Sequence, residues 1–228
     1  MAGRDNEQAI GTAERLHTGA QLLGVALDQE QLAALCLFVD ELGVWNARTN
    51  LVGQHDRSTL IDRHVLDSLA AAPMLRDHGP ALRIADVGSG AGLPGVPLAI
   101  ALRTQTMWLI EPRRKRASFL RSIRRLLPTY GLEVLEARAE DLAGRRGETP
   151  VCDAVVSRAA LTDEALQLVA APLLRDGGLL IAYRGAATED VAAASLVTTG
   201  YSERRSSAYS LEAARRSFRL DVWRRSFT

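Results

Sequence analysis

The chain of 228 residues is 47% apolar and 24% charged, with a formal net charge of +1, which suits one ordinary domain with an extension, or two small units, around a sizeable core. No apolar run is long enough to cross a bilayer, and the polar, mildly acidic N-terminus lacks the basic-then-apolar pattern of a secretory signal, so a cytoplasmic protein without membrane attachment is expected. Two distant cysteines (Cys36, Cys152) exclude a disulfide framework and read as buried thiols of a reducing compartment, and four histidines without ligand spacing (His17, His55, His64, His78) point to no metal.

Residues 1–80 read as helices. Asp28 with Gln31 forms a capping box, and Leu32, Leu35, Val39 and Leu42 follow at helical spacing. Gly43 and "NARTN" are expected to break that helix. Ser58 is expected to cap the next, which carries Leu60, Ile61, Val65, Leu66 and Leu69 and ends near Pro73. Trp45 reads as core, or as a seal between this leader and what it packs on.

From residue 82 the rhythm changes. "LRIADV" is a strand, "PGVPLAIAL" a helix, "TMWLIE" a strand, and "PRRKRASFLRSIRRLL" a helix with Pro112 in its first turn. "LEVLEA", "DAVVSR" and "GGLLIAYR" are further strands, with "TDEALQLVAAPLL" helical between the last two. "GRRGETP" reads as a loop and "EDVAAASLVTT" leads on to "YSERRSSAYS" and "SFRLDVWRR", two strands with no helix between them. Such alternation predicts an α/β fold, with helices on both faces of a seven-stranded, mostly parallel sheet and one antiparallel edge.

"DVGSGAGLPG" sits at the first strand-to-helix turn, where α/β sheets bind ligands. A match to the dinucleotide template is weak alone. Asp86 shifts the balance, because a carboxylate two residues before Gly88 is awkward beside a pyrophosphate and useful beside the sulfonium and ammonium of S-adenosylmethionine. Glu111, ending the second strand, can accept from ribose hydroxyls. "ARAED" closes the third strand, so backbone at Ala139 and a carboxylate at Glu140 or Asp141 can meet an adenine edge. Arg158 ends the fourth strand, where a guanidinium can hold a carboxylate or phosphate; an ion pair with Asp153 or Asp163 is the alternative. His64 reads as a packed histidine, with Asp67 one turn on as its partner.

Charge is unevenly spread. Residues 113–125 hold seven basic side chains and no acid: Arg113, Arg114, Lys115, Arg116, Arg121, Arg124 and Arg125. Phe119, Leu120, Ile123, Leu126 and Leu127 would lie against the sheet and turn the basic residues outward, available to a polyanion.

"DVGSGAGLPGVPLAI", "LIEPRRKRASFLR", "ARAEDL" and "VVSRA", with "LGVWNARTNLVG" and "RHVLDSL" upstream, resemble the small-subunit rRNA methyltransferase G family, also called glucose-inhibited division protein B. The resemblance implies a class I methyltransferase domain (81–228) behind a helical extension (1–80), S-adenosylmethionine as cofactor, and methylation of guanine N7 in the decoding-region loop of 16S rRNA or the small ribosomal subunit. Carried over residue by residue, it implies cofactor contacts at Gly88, Leu93, Ala139, Glu140 and Arg158, with Glu111 on the ribose. Asp86, Ser89 and Gly90 belong to the same turn. Asn50, His64, Asp67 and Arg158 match positions tied to the site, and Arg215 or Arg216 matches a basic residue before the last strand. Arg113, Arg114, Lys115 and Arg116 complete the expected RNA contacts, and a monomer suffices. N7 carries a lone pair and no proton, so positioning can suffice without a general base. A small-molecule methyltransferase, an NAD(P)-dependent oxidoreductase and a non-catalytic RNA-binding module remain as competing readings.

Overall fold

The structure, a computed structural model, describes residues 2–53, 56–142, 151–158, 161–185, 200–211 and 216–227, with the side chains of 2–10 and of 216 excepted. His55, the loop 144–150, "EDVAAASLVTT" and Arg215 lie outside the described residues.

The leader opens with α1 (Ala2–Leu22) and α2 (Gln29–Thr49). The capping box is complete: Asp28 accepts the Gln31 N–H at 2.9 Å, and Gln31 accepts the Asp28 N–H at 3.0 Å. The Gln31 amide also donates to the carbonyls of Ile100 and Ala101, tying this cap to the main domain. Gly43 does not break α2. A Cβ there would meet nothing within 4 Å, and a lone glycine costs only about 1 kcal/mol against alanine, less than the burial of Leu35, Phe38, Val39 and Leu42 returns. The helix ends where Asn50 turns left-handed (φ 50°).

Asp56, not Ser58, caps the next segment, accepting the Thr59 N–H at 2.7 Å while the Ser58 hydroxyl donates to Asp56. Asp56 stands two residues earlier, at the N-cap position with extended backbone, from which its carboxylate reaches the Thr59 N–H. The segment runs as α3 (Arg57–Leu60), a π-turn (Ile61–Val65) and α4 (Leu66–Leu69), then α5 (Ala72–Arg76).

The sheet comprises β1 (Arg83–Val87), β2 (Thr106–Ile110), β3 (Leu132–Leu135), β4 (Cys152–Arg158), β5 (Leu174–Gly185), β6 (Tyr201–Leu211) and β7 (Arg216–Arg225) in the order β3-β2-β1-β4-β5-β7-β6. Strands β1 to β5 are parallel, and the β6–β7 hairpin makes the antiparallel edge, with β7 against β5. Helices α6 (Gly95–Leu102), α7 (Arg114–Leu126), α8 (Ala139–Leu142) and α9 (Asp163–Ala170) connect them.

Alternate strand residues divide between two cores. Ile84, Leu109, Val156 and Ile181 face the leader, α6 and α7, whereas Ala85, Val155, Leu180 and Ala182 face α8 and α9. Trp45 seals the first core by meeting Phe119 edge-on, ring centroids 5.5 Å apart. Pro112 lies outside α7, whose N-cap is Arg113. Phe119, Leu120, Ile123 and Leu127 are buried as expected, but Leu126 is exposed because α7 presents only one stripe to the sheet. Cys152 is buried as expected, whereas Cys36 is only half-buried; burial raises the Cys36 thiol and pushes that of Cys152 up to about 12.

Candidate functional site

Strand order reverses between β1 and β4, so their carboxyl ends open a crevice. The turn after β1 lines it. Gly88, Gly90 and Gly92 have φ of 75°, 56° and 78°, a region nearly closed to side chains. A Cβ at Gly92 would sit 2.7 Å from Val96, and one at Gly95 would sit 2.6 Å from an Asp86 carboxylate oxygen. Gly92 is thus required twice over, by backbone and by space, and Gly95 by space alone. Ser89 is buried and its hydroxyl donates to the Asp86 carbonyl at 2.8 Å. Leu93 is buried in the leader-side core.

Asp86 is fully buried. Its Oδ2 accepts the Gly95 N–H at 3.0 Å, while Oδ1 has no hydrogen-bond partner among the described residues. Burial pushes its carboxyl up to about 7, since desolvation disfavours the anion. An orphaned carboxylate oxygen at this turn has the character of an acceptor awaiting a cation.

Glu111 holds the turn from the next strand. Its two oxygens accept the N–H groups of Gly90 (2.9 Å) and Arg113 (2.8 Å), stapling the glycine turn to the start of α7. Each oxygen keeps a further lone pair, so holding the turn and accepting from a diol are compatible. Beside it, Val87, Gly88, Ile110, Pro112, Arg138, Ala139, Glu140 and Leu161 enclose a cavity of about 150 Å³. Its mostly apolar walls and single carboxylate suit a flat heteroaromatic ring. Arg138, Pro112 and Leu161 carried no expected site role, although Arg138 and Pro112 lie within quoted motifs and Leu161 directly precedes one.

At the β4 side, Arg158 pairs with neither Asp153 nor Asp163. Those acids take Arg175 and Arg184. Arg158 Nη1 instead donates to Asp67 Oδ2 at 3.0 Å and to the His64 carbonyl at 3.4 Å. The Tyr209 hydroxyl donates to the other Asp67 oxygen, and the buried Tyr183 hydroxyl donates to the Ser68 carbonyl at 2.7 Å. The leader is therefore pinned over the carboxyl ends of the strands. Tyr209 carried no signal in the sequence, because only pairing of distant segments brings it there. Asn50 is exposed and lines an open cleft of about 580 Å³ with Asn46, Arg48 and Asp56.

The basic helix divides into two halves. Arg121 and Arg124 pair with Glu136 and Glu133. Arg113, Arg114 and Lys115 are exposed, and with half-buried Arg116 they form no ion pair among the described residues. Arg116 lies over the turn, its Nη1 3.7 Å from where a Gly90 Cβ would be. Cations at a helix N-terminus oppose the macrodipole by about 0.3–1 kcal/mol each, an arrangement relieved when an anion binds there.

This sheet order, with a glycine turn backed by Asp86 and Glu111, defines a class I S-adenosylmethionine-dependent methyltransferase. Solved structures agree at the level of fold: the magnesium protoporphyrin IX methyltransferase of Synechocystis, solved with bound S-adenosylmethionine, aligns with TM-score 0.56 at 19% identity over 88% of this chain and 99% of that one. The archaeal fibrillarin of Aeropyrum pernix, also solved with S-adenosylmethionine, aligns with TM-score 0.50 at 17% identity over 68% of this chain and 73% of its own. The profile of the GidB family, described as rRNA small subunit methyltransferase G, matches residues 31–217. Curated relatives named ribosomal RNA small subunit methyltransferase G are 40% identical in Chloroflexus aggregans, over 75% of this chain and 71% of the relative, and 35% identical in Syntrophus aciditrophicus, over 80% and 75%. The chain belongs to the rRNA small subunit methyltransferase G family.

Proposed function

We propose that the chain methylates N7 of a guanine in 16S rRNA, presented as RNA or within the small ribosomal subunit, and that it does so as a monomer in the cytoplasm. No described helix is long and apolar enough to cross a membrane. Residues 81–228 form the methyltransferase domain and 1–80 a helical extension over its cleft. One observation carries the reading: a fully buried carboxylate, Asp86, keeps an unpartnered oxygen beside a left-handed glycine turn, which fits a cationic donor and repels a pyrophosphate.

The residues present fit S-adenosylmethionine, which when bound supplies an electrophilic methyl group on a sulfonium. Asp86 would face its positive charge, Glu111 its ribose hydroxyls, and the main chain of Gly88, Leu93 and Ala139 with Glu140 its adenosine. Arg158 presents Nε and Nη2, neither of which has a partner among the described residues, toward an anionic group at the mouth. The unpaired cations of the first turn of α7 attract RNA backbone. Because N7 offers a lone pair with no proton to remove, the chain's task is to orient the base and exclude water.

Two measurements test this. Calorimetric titration should show S-adenosylhomocysteine binding and NAD not binding; the reverse overturns the donor assignment. Labelled methyl groups should enter undermodified 16S rRNA; label entering only metabolite extracts would indicate a small-molecule enzyme.

A further inference from the structure

We infer that the Tyr209 hydroxyl is a positioning group for methyl transfer: through Asp67 it fixes which edge of the Arg158 guanidinium is left for the substrate. The inference rests on the reading of Arg158 as a site residue. Three segments far apart in sequence meet here. Asp67 lies on α4 of the leader, Arg158 ends β4, and Tyr209 lies near the end of β6. The Asp67 side chain is 5% exposed, and each of its oxygens has one partner, Tyr209 on Oδ1 and Arg158 on Oδ2.

A carboxylate on a broad, two-fold torsion has no preferred rotation of its own. With one oxygen held by a hydroxyl, the other is fixed, and a guanidinium bound to it cannot rock about a single contact. Nη1 is consumed by Asp67 and the His64 carbonyl, so Nε and Nη2, without a partner among the described residues, form the two-toothed edge left to a ligand. The Arg158 side chain is 20% exposed, enough for a ligand to reach it. The Tyr209 ring also stacks on Phe218 across the hairpin, centroids 5.6 Å apart at 22°, while its hydroxyl is held by Asp67 itself. Burial and the neighbouring Asp67 both push its phenol upward, so the hydroxyl remains a donor. The β6–β7 hairpin is thereby linked to the site through one hydroxyl.

The test compares Tyr209→Phe, Phe218→Leu, Arg158→Ala and the double variant Tyr209→Phe/Arg158→Ala, in rRNA methylation kinetics with S-adenosylhomocysteine affinity measured alongside. Tyr209→Phe keeps the ring and its stacking. It should lower kcat about tenfold, while KM for rRNA and affinity for S-adenosylhomocysteine stay within about twofold. Phe218→Leu loosens the same hairpin without removing the hydroxyl and should keep turnover within about twofold. In the Arg158→Ala background, Tyr209→Phe should cost nothing further. Wild-type kcat in Tyr209→Phe, an equal loss in Phe218→Leu, or losses that multiply in the double variant would each overturn the proposal. Wild-type turnover in Arg158→Ala would remove the reading of Arg158 itself, a separate failure visible in that variant alone.

Discussion

The two sides of the crevice are built by different means. The glycine turn after β1 is local: Asp86, Gly88, Gly90, Gly92 and Gly95 lie within ten residues, and Glu111, which staples it, follows the adjacent strand. The junction around Arg158 draws on α4, β4 and β6, with partners 91 and 142 residues apart. A turn that must hold a small ligand by its backbone writes itself into contiguous sequence. A polar junction exists only once the sheet edge has been paired and the leader docked.

If this contrast is sound, the turn should respond to substitution mainly through cofactor affinity. The largest expected effect is that of Glu111→Ala, which removes the acceptor of two backbone N–H groups inside a buried site. At about 1.5–3 kcal/mol for a hydrogen bond to a charged group, affinity for S-adenosylhomocysteine should fall about a hundredfold by titration calorimetry. Unchanged affinity would sever Glu111 from the cofactor. Next, reversing Arg113, Arg114 and Arg116 together should weaken RNA binding by at least about tenfold and flatten the slope of log affinity against log salt, leaving cofactor affinity intact. If binding and slope stay as they were, those cations are a solvated surface only.

A smaller effect concerns Asp86, whose carboxyl is raised to about 7 by burial. A folded-state value above the unfolded one means that its contribution to stability is present below about pH 4 and is lost as pH rises through 7. A cationic ligand favours the ionised form, so affinity should move the other way, rising by up to about fivefold between pH 6 and 7. Asp86→Asn should flatten that profile; a wild-type profile already flat would show that the carboxylate does not face the ligand's charge. The smallest effect tests local chemistry in the leader. Asp56→Ala should cost about 1 kcal/mol in thermal or denaturant unfolding, whereas Ser58→Ala should cost a few tenths.

What could be read from sequence follows the same division. Strand and helix positions were legible where strands such as β2 and β5 carry apolar runs and helices such as α7 a stripe, as in Phe119, Leu120 and Ile123. The capping box at Asp28 was legible because it needs only three residues of spacing. The end of α2 was not, since Gly43 looks like a breaker until the opposite face of the helix is seen to be buried. Asp56 was overlooked beside Ser58 because both are good caps, and the choice depends on where the backbone enters the helix. The glycine turn could be recognised, but not that Glu111 would staple it. Arg158 drew attention by its place at a strand end. Its partner could not be named, because Asp153 and Asp163 are nearer in sequence and are claimed by Arg175 and Arg184.

The most direct measurement is to incubate the protein with labelled S-adenosylmethionine and 16S rRNA lacking the modification, alone and in small subunits, and to map the modified base by reduction and strand scission at N7-methylguanine. Label at N7 of a single guanine is the expected result. Label on an exocyclic amine, on another base or on no RNA at all would contradict the account.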